Sequence, residues 1–222
     1  MARILYELAG ADEHCRFSQH CWRVRLALHR KGLDYEGRPW RFTEKDEIAF
    51  AGTTKVPVLV DGDRTIHDSW SILEYLEDNY PQGPTLFGGP DARAEVAFFR
   101  HWTERVVHAG LGPMIVHAIW ERLHDKDREY FRRTREERFG KTLEELEAER
   151  PERIGAFRQS LAPLRATLEG QPYIAGAEPR VPDLLVYAAF LWVRHGSDLE
   201  PLEEGDAVAA WRDRMDADFR DA

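Results

Sequence analysis

Two hydrophobic periods alternate along the first third of this chain, and only the helical one continues beyond it. Residues 2–8, ARILYEL, form a short run of strand character. Ser18 then opens a stretch in which Cys21, Val24 and Leu28 recur at helical spacing until Lys31-Gly32, where glycine suits a C-terminal cap. DYEGRPW (34–40) predicts a weaker strand, and TEKDEIAFAG (43–52) an irregular turn of helix. VPVLV (56–60) and RTI (64–66) flank Asp61-Gly62-Asp63, a turn that predicts a hairpin. From Asp68 to Tyr80 the apolar positions Ile72, Leu73, Leu76 and Tyr80 return to helical spacing. The predicted order is strand, helix, strand, helix, strand, strand, helix.

The stretch YPQGPTLFGGPDA (80–92) breaks both periods with three prolines and three glycines, which predicts a linker. Past it no segment reads as a strand. Helices are predicted over Asp91 to Leu123, Lys126 to Arg138, Leu143 to Leu168, Pro182 to His195 and Asp206 to Phe219. The expected division is 1–80, a linker 81–90, and an all-helical part 91–222. Within the latter, ERLHDKDREYFRRTREERFGKTLEELEAER alternates charge sign densely, as exposed helix faces laced with ion pairs do.

Composition narrows the partners. Of 222 residues, 43% are hydrophobic and 32% charged, a globular balance, and the net charge of -9 argues against nucleic acid or an anionic membrane as partner. The start MARILYELAG carries one basic residue and no secretory pattern. The longest apolar run, LLVYAAFLWV (184–193), is well short of the roughly 20 residues of a membrane span and predicts a buried helix. Two cysteines, Cys15 and Cys21, fit a reducing cytoplasm. No metal site is expected.

Two places depart from ordinary element grammar. Pro57 is the second residue of a strand-like run, although proline donates nothing to a ladder. Asp68-Ser69 places two hydrogen-bonding side chains where a helix presents unpaired N–H groups. Together with the linker and the helix PDLLVYAAFLW (182–192), these features resemble the cytosolic glutathione transferase superfamily over essentially the whole chain. The segments FSQHCWRVRLALHRKGL (17–33), DSWSILEYL (68–76) and REYFRRTREERFGKTLEELEAER (128–150) look like bacterial β-aryl etherases and fungal serine-type transferases, the pairing of Ser18 with Trp22 most of all. The sequence departs from that pattern at Gln19, where the family usually has proline, and at Arg180, where a Ser, Thr or Asn cap is usual.

The resemblance implies a thioredoxin-like first half (βαβαββα) and an all-α second half. It implies glutathione as co-substrate, a cis Val56-Pro57 bond with Val56 pairing with the cysteinyl part, and Asp68-Ser69 receiving the γ-glutamyl carboxylate. Lys55 is expected at the glycyl carboxylate, with Arg41 and Trp40 approaching the same end. A hydrophobic, aromatic second substrate is expected beneath the long helix, where Gly112-Pro113 predicts a kink and Met114, His117 and Trp120 step along one side, with Trp22 near. A homodimer is expected, with Phe98 and Phe99 as apolar candidates.

Each assignment has a plainer counterpart. Ser18 is a thiolate-stabilising donor or simply a helix cap. Asp68 and Ser69 are a ligand clamp or a cap, and Met114, His117 and Trp120 are pocket or core. Cys15 and Cys21 keep a cysteine-based oxidoreductase open, and Tyr6 is an outside candidate. A non-catalytic ligand-binding protein of the same fold is the third reading.

Overall fold

The computed structural model describes residues 3–222; Met1 and Ala2, the start of the first predicted strand, lie outside the described residues. Four strands form one mixed sheet in the order β2-β1-β3-β4. β1 (Arg3–Leu8) runs parallel to β2 (Glu36–Trp40) and antiparallel to β3 (Val58–Asp61), and β3 pairs with β4 (Arg64–His67) through the Asp61↔Arg64 hairpin. The parallel pair needs a crossover, supplied by α1 (Gln19–Arg30). A 3₁₀ turn (Lys45–Ala51) stands where the irregular helix was expected, and α2 (Ser69–Asn79) closes the unit. Pro57 is explained by register: β3 begins at Val58, so the proline precedes the ladder, and the Val56-Pro57 bond is cis.

From Pro90 the chain is helical: α3 (Pro90–Trp102), a π-helical stretch (Thr103–His108) and α4 (Ala109–Glu121) run on as one irregular rod. Then come α5 (Asp125–Phe139), α6 (Leu143–Ala148), α7 (Arg150–Ser160), α8 (Ala162–Gly170), α9 (Val181–Gly196) and α10 (Ala207–Asp218). The single helix expected over 143–168 is three. Pro151 and Pro163 lack the N–H that would continue the ladder and sit instead in the first turns of α7 and α8.

α9 is buried along almost its whole length and packs against α1, so the two halves share one core. Its N-terminus is fixed by Asp183, not by Arg180. The Asp183 carboxylate is fully buried and accepts from the backbone N–H groups of Ile174 (2.7 Å), Ala175 (3.1 Å) and Arg180 (3.1 Å) and from Trp211 Nε1 (2.9 Å). No helix among the described residues is long and apolar enough to cross a membrane.

Candidate active site

Between the halves lies a cleft of about 700 Å³. The first half contributes Ser18, Gln19 and His20 from the start of α1, Trp40 at the end of β2 and Phe42 just past it, and Thr54, Lys55 and Val56 ahead of β3. Opposite them stand Glu104 and His108 of the π-helical stretch, Gly112, Pro113 and Val116 of α4, the aromatic face of α5, and Trp192 of α9.

Ser18 is the N-cap of α1 and 94% buried by the cleft wall; its Oγ accepts from Cys21 N–H at 3.3 Å. A hydroxyl has one proton to donate and two lone pairs. Beyond its contact with the Cys21 thiol, the Ser18 hydroxyl donates to no acceptor among the described residues, so capping leaves its proton available at a positive helix end.

The cysteines differ. Cys21 is buried one turn inside α1 and does not line the cleft; burial and the Glu7 charge push its thiol up to about 12. Cys15 lies outside the cleft, donates to His195 O at 3.4 Å, and is also raised by burial. Neither is poised as a thiolate. Tyr6 is likewise outside the cleft; its hydroxyl accepts from Arg38.

Lys55 is exposed on the cleft rim and has no ion-pair partner among the described residues, and Val56 is half-buried beside it. The hairpin register pairs Val58 with His67, which sets Asp68-Ser69 across from Val56-Pro57. Asp68 is exposed, takes φ of 68°, and caps α2 by accepting from Trp70 and Ser71 N–H, both at 3.1 Å. Ser69 is buried, and its hydroxyl accepts from Arg23 Nη1 at 3.4 Å. Arg23 is 1% exposed, 3.9 Å from Glu104, and its Nε and Nη2 have no protein partner; burial, against the opposing pull of Glu104, draws its pKa down to about 10.

Arg41 stands elsewhere, engaged by Glu44 and Glu13 and donating to Gly10 O. Trp40 does line the cleft, with its Nε1 donating to Glu44 O at 2.6 Å. Trp22 does not: it stacks on His195 at 4.9 Å and donates to Arg16 O. Met114 is fully buried and absent from the lining, and His117 and Trp120 stack on each other at 5.9 Å, Trp120 beneath Arg132. The reason is helical phase. The cleft face of the rod carries Glu104, His108, Gly112 and Val116, with Ala109 and Pro113 alongside, while Met114 and His117 lie off that face and Trp120, one turn on from Val116, turns to His117 and Arg132. Gly112 permits close packing there, since a Cβ would meet the Trp192 ring at 3.3 Å.

Sequence reasoning missed His20, Glu104, His108 and Arg23. His20 and His108 meet edge to face at 5.7 Å on the cleft wall. Burial, with the Arg23 charge next, holds both well below the usual histidine range, His108 at about 3. Both imidazoles are therefore neutral near pH 7. Only the phase of the π-helical stretch brings His108 here, and no sequence signal announced it. No group of three His, Cys, Asp or Glu side chains among the described residues is arranged to hold a metal.

The fold and cleft together define a two-part protein in which a thioredoxin-like half presents a capped helix end to a helical half. Its residues 14–85 match the glutathione S-transferase N-terminal domain and residues 94–221 the glutathione S-transferase C-terminal domain. The chain belongs to the glutathione S-transferase family. Glutathione S-transferase Z2 of Arabidopsis thaliana is 39% identical over 111 residues, 47% of either chain, so the match spans about half the length of that relative. Glutathione transferase GSTFuA3 of Phanerochaete chrysosporium superposes with a TM-score of 0.87 at 24% identity, covering 98% of this chain and 97% of that one. CsGST63524 of Ceriporiopsis subvermispora, solved in complex with glutathione, does so with 0.87 at 21%, covering 99% and 97%.

Proposed function

We propose that the protein is a cytoplasmic, serine-type glutathione transferase that delivers the glutathione thiolate to an electrophilic carbon of an aromatic substrate, with cleavage of β-aryl ethers as one form of that reaction. Residues 1–80 would serve glutathione and 91–222 the second substrate, across the linker 81–90. Ser18 carries the reading: a cleft-lining cap whose hydroxyl spends a lone pair on the cap and keeps a proton to donate, at the end of a helix whose dipole favours an anion.

Glutathione lies with its cysteinyl part along Val56, its glycyl carboxylate toward the unpaired Lys55 and its γ-glutamyl carboxylate at the start of α2. Ser18 donates to the sulfur and stabilises the thiolate over the thiol, lowering its pKa from the ordinary range near ~8.5. The thiolate forms a C–S bond as the carbon–leaving-group bond breaks, and the electron pair departs with the halide or aryloxide. Conjugation and ether cleavage differ in the leaving group alone. The neutral His20 and His108 bring no positive charge to the sulfur, so its stabilisation falls to the Ser18 hydroxyl and the helix end.

Rates against pH test this. Ser18→Ala is expected to move the pH of half-maximal rate upward by about 1 to 2 units, the worth of one hydrogen bond to a charged group, so the loss is severe at neutral pH and small at high pH. Replacing Cys15 and Cys21 together by alanine is expected to leave the profile in place. A dead cysteine variant beside an active Ser18→Ala would transfer the chemistry to a thiol oxidoreductase, and absence of turnover with every activated aromatic electrophile would leave a binding protein. Mass spectrometry of products from aromatic β-ethers and haloarenes separates the two leaving-group classes.

A further inference from the structure

The α5 wall of the cleft carries two cations that no acidic side chain among the described residues neutralises. Phe131, Arg135, Arg138 and Phe139 stand at i, i+4, i+7 and i+8 of that helix and all line the cleft. Arg132, just off this face, is paired with Glu136 at 2.9 Å and Glu144 at 2.7 Å. Arg135 and Arg138 have no acidic side chain within ion-pair distance among the described residues. Arg135 Nη1 donates to a neutral acceptor, Thr134 Oγ1, at 2.9 Å, and its guanidinium lies over the rings of Phe131 (4.4 Å) and Phe42 (5.4 Å). Arg138 lies over Phe139 at 5.4 Å.

Burial and the nearby Arg138 charge both pull the Arg135 pKa below its ordinary value, while leaving it a cation. A cation held against an apolar wall beside a second like charge, as Arg135 is, is costly until an anion joins it. The acid on the opposite wall, Glu104, is already engaged by Arg100 at 3.5 Å and Arg23 at 3.9 Å. With Lys55 at the rim, the lining carries Lys55, Arg135 and Arg138 against Glu104, a local reversal of sign in a chain of net charge -9.

We propose that the second-substrate side of the cleft selects aromatic carboxylates, the ring lying among Phe42, Tyr130, Phe139 and Trp192 and the carboxylate received by Arg135 and Arg138. Stacking holds the Arg135 fork in place, and a planar carboxylate matches that fork with two parallel hydrogen bonds. The inference names the substrate class of the transferase proposed above and rests on that reading for the chemical step alone, not for binding.

Calorimetric titration of 2-naphthoate and its uncharged analogue 2-naphthamide into the glutathione-saturated protein is the test. Naphthoate is expected to bind about tenfold or more tightly, as one or two hydrogen bonds to a charged group would give. In Arg135→Gln/Arg138→Gln that preference collapses to within about twofold, and in Arg135→Lys/Arg138→Lys, which keeps the charge, part of it returns. Arg138 is exposed, so Arg138→Gln alone preserves the fold and lowers the preference severalfold. Equal affinities in the unaltered protein, or a preference untouched by the double change, would overturn the proposal. So would loss of glutathione affinity in the double variant with the naphthoate preference intact, which would assign the arginines to the glycyl carboxylate. Failure of 4-(chloromethyl)benzoate to be turned over with glutathione, beside an intact naphthoate preference, would sink the transferase reading and leave the anion site standing.

Discussion

One hydroxyl at Ser18 is compatible with both readings of that residue, because capping uses a lone pair and the proposed thiolate stabilisation would use the proton. His108 shows the opposite relation, a side chain whose buried state limits what it does. Its Nε2 is buried without a partner, and its pKa is about 3 against an ordinary 6.5. Between those values the unfolded chain holds a proton that the folded chain does not, so the unfolded state binds more protons and stability rises with pH. The contribution is complete above pH 6.5 and is lost as pH falls toward 3, at about 1.4 kcal/mol per unit for this one group; His20, displaced the same way, adds to it. Denaturant unfolding between about pH 4 and 6 should therefore show a shallower pH slope in His108→Asn than in the unaltered protein. Identical slopes would mean the imidazole is protonated in the fold.

At the scale of elements, Asp183 is the joint of the helical half. Its carboxylate gathers the loop before α9, the first turn of α9 and α10 through Trp211. Asp183→Ala leaves three backbone donors and an indole N–H buried and unpaired, and is expected to cost on the order of 3–5 kcal/mol in unfolding free energy. Asp183→Asn, which keeps one acceptor oxygen, should cost less, and an equal loss in both would show that charge rather than hydrogen bonding holds the joint. The order of elements in the first half was legible because Gly32, the Asp61-Gly62 turn and the Asp68 cap each fix a boundary by local chemistry. Ser18, Lys55 and Val56 were legible as site candidates through the family resemblance, with the Ser18 cap and the misplaced Pro57 as its local marks, and all three line the cleft. Met114, His117 and Trp120 were misplaced because a Met and aromatic stripe reads as pocket or core alike: within α4 the cleft takes Ala109, Gly112, Pro113 and Val116, Met114 goes to the core, and His117 and Trp120 stack on each other. Arg23 and the His20–His108 pair depend on three elements converging, which no local pattern encodes. The run 143–168 kept helical spacing across two breaks, and its prolines were the signal to weigh.

For the whole molecule, the exposed rings bear on assembly. Phe98 on α3 is 67% exposed, and Phe50, on the 3₁₀ turn of the first half, is 56% exposed. Among the described residues each half thus offers one large apolar side chain to solvent, Phe98 edge-on to Phe99 and Phe50 against Tyr6. We propose a two-fold dimer that sets the first half of one protomer against α3 of its partner, an arrangement in which each ring is buried twice. Two buried phenylalanines are worth on the order of 3–6 kcal/mol, so a single substitution is expected to raise the dimer dissociation constant by about a hundredfold or more. Light scattering should give twice the 25.8 kDa protomer mass for the unaltered chain at micromolar concentration, and Phe98→Glu should move it toward the protomer value. Because Phe98 is exposed, the change leaves the fold intact, and an unshifted thermal midpoint at low protein concentration checks that. A protomer mass for the unaltered chain across the micromolar range would exclude the dimer, whereas a dimer indifferent to Phe98→Glu and Phe50→Glu would place the interface on another face.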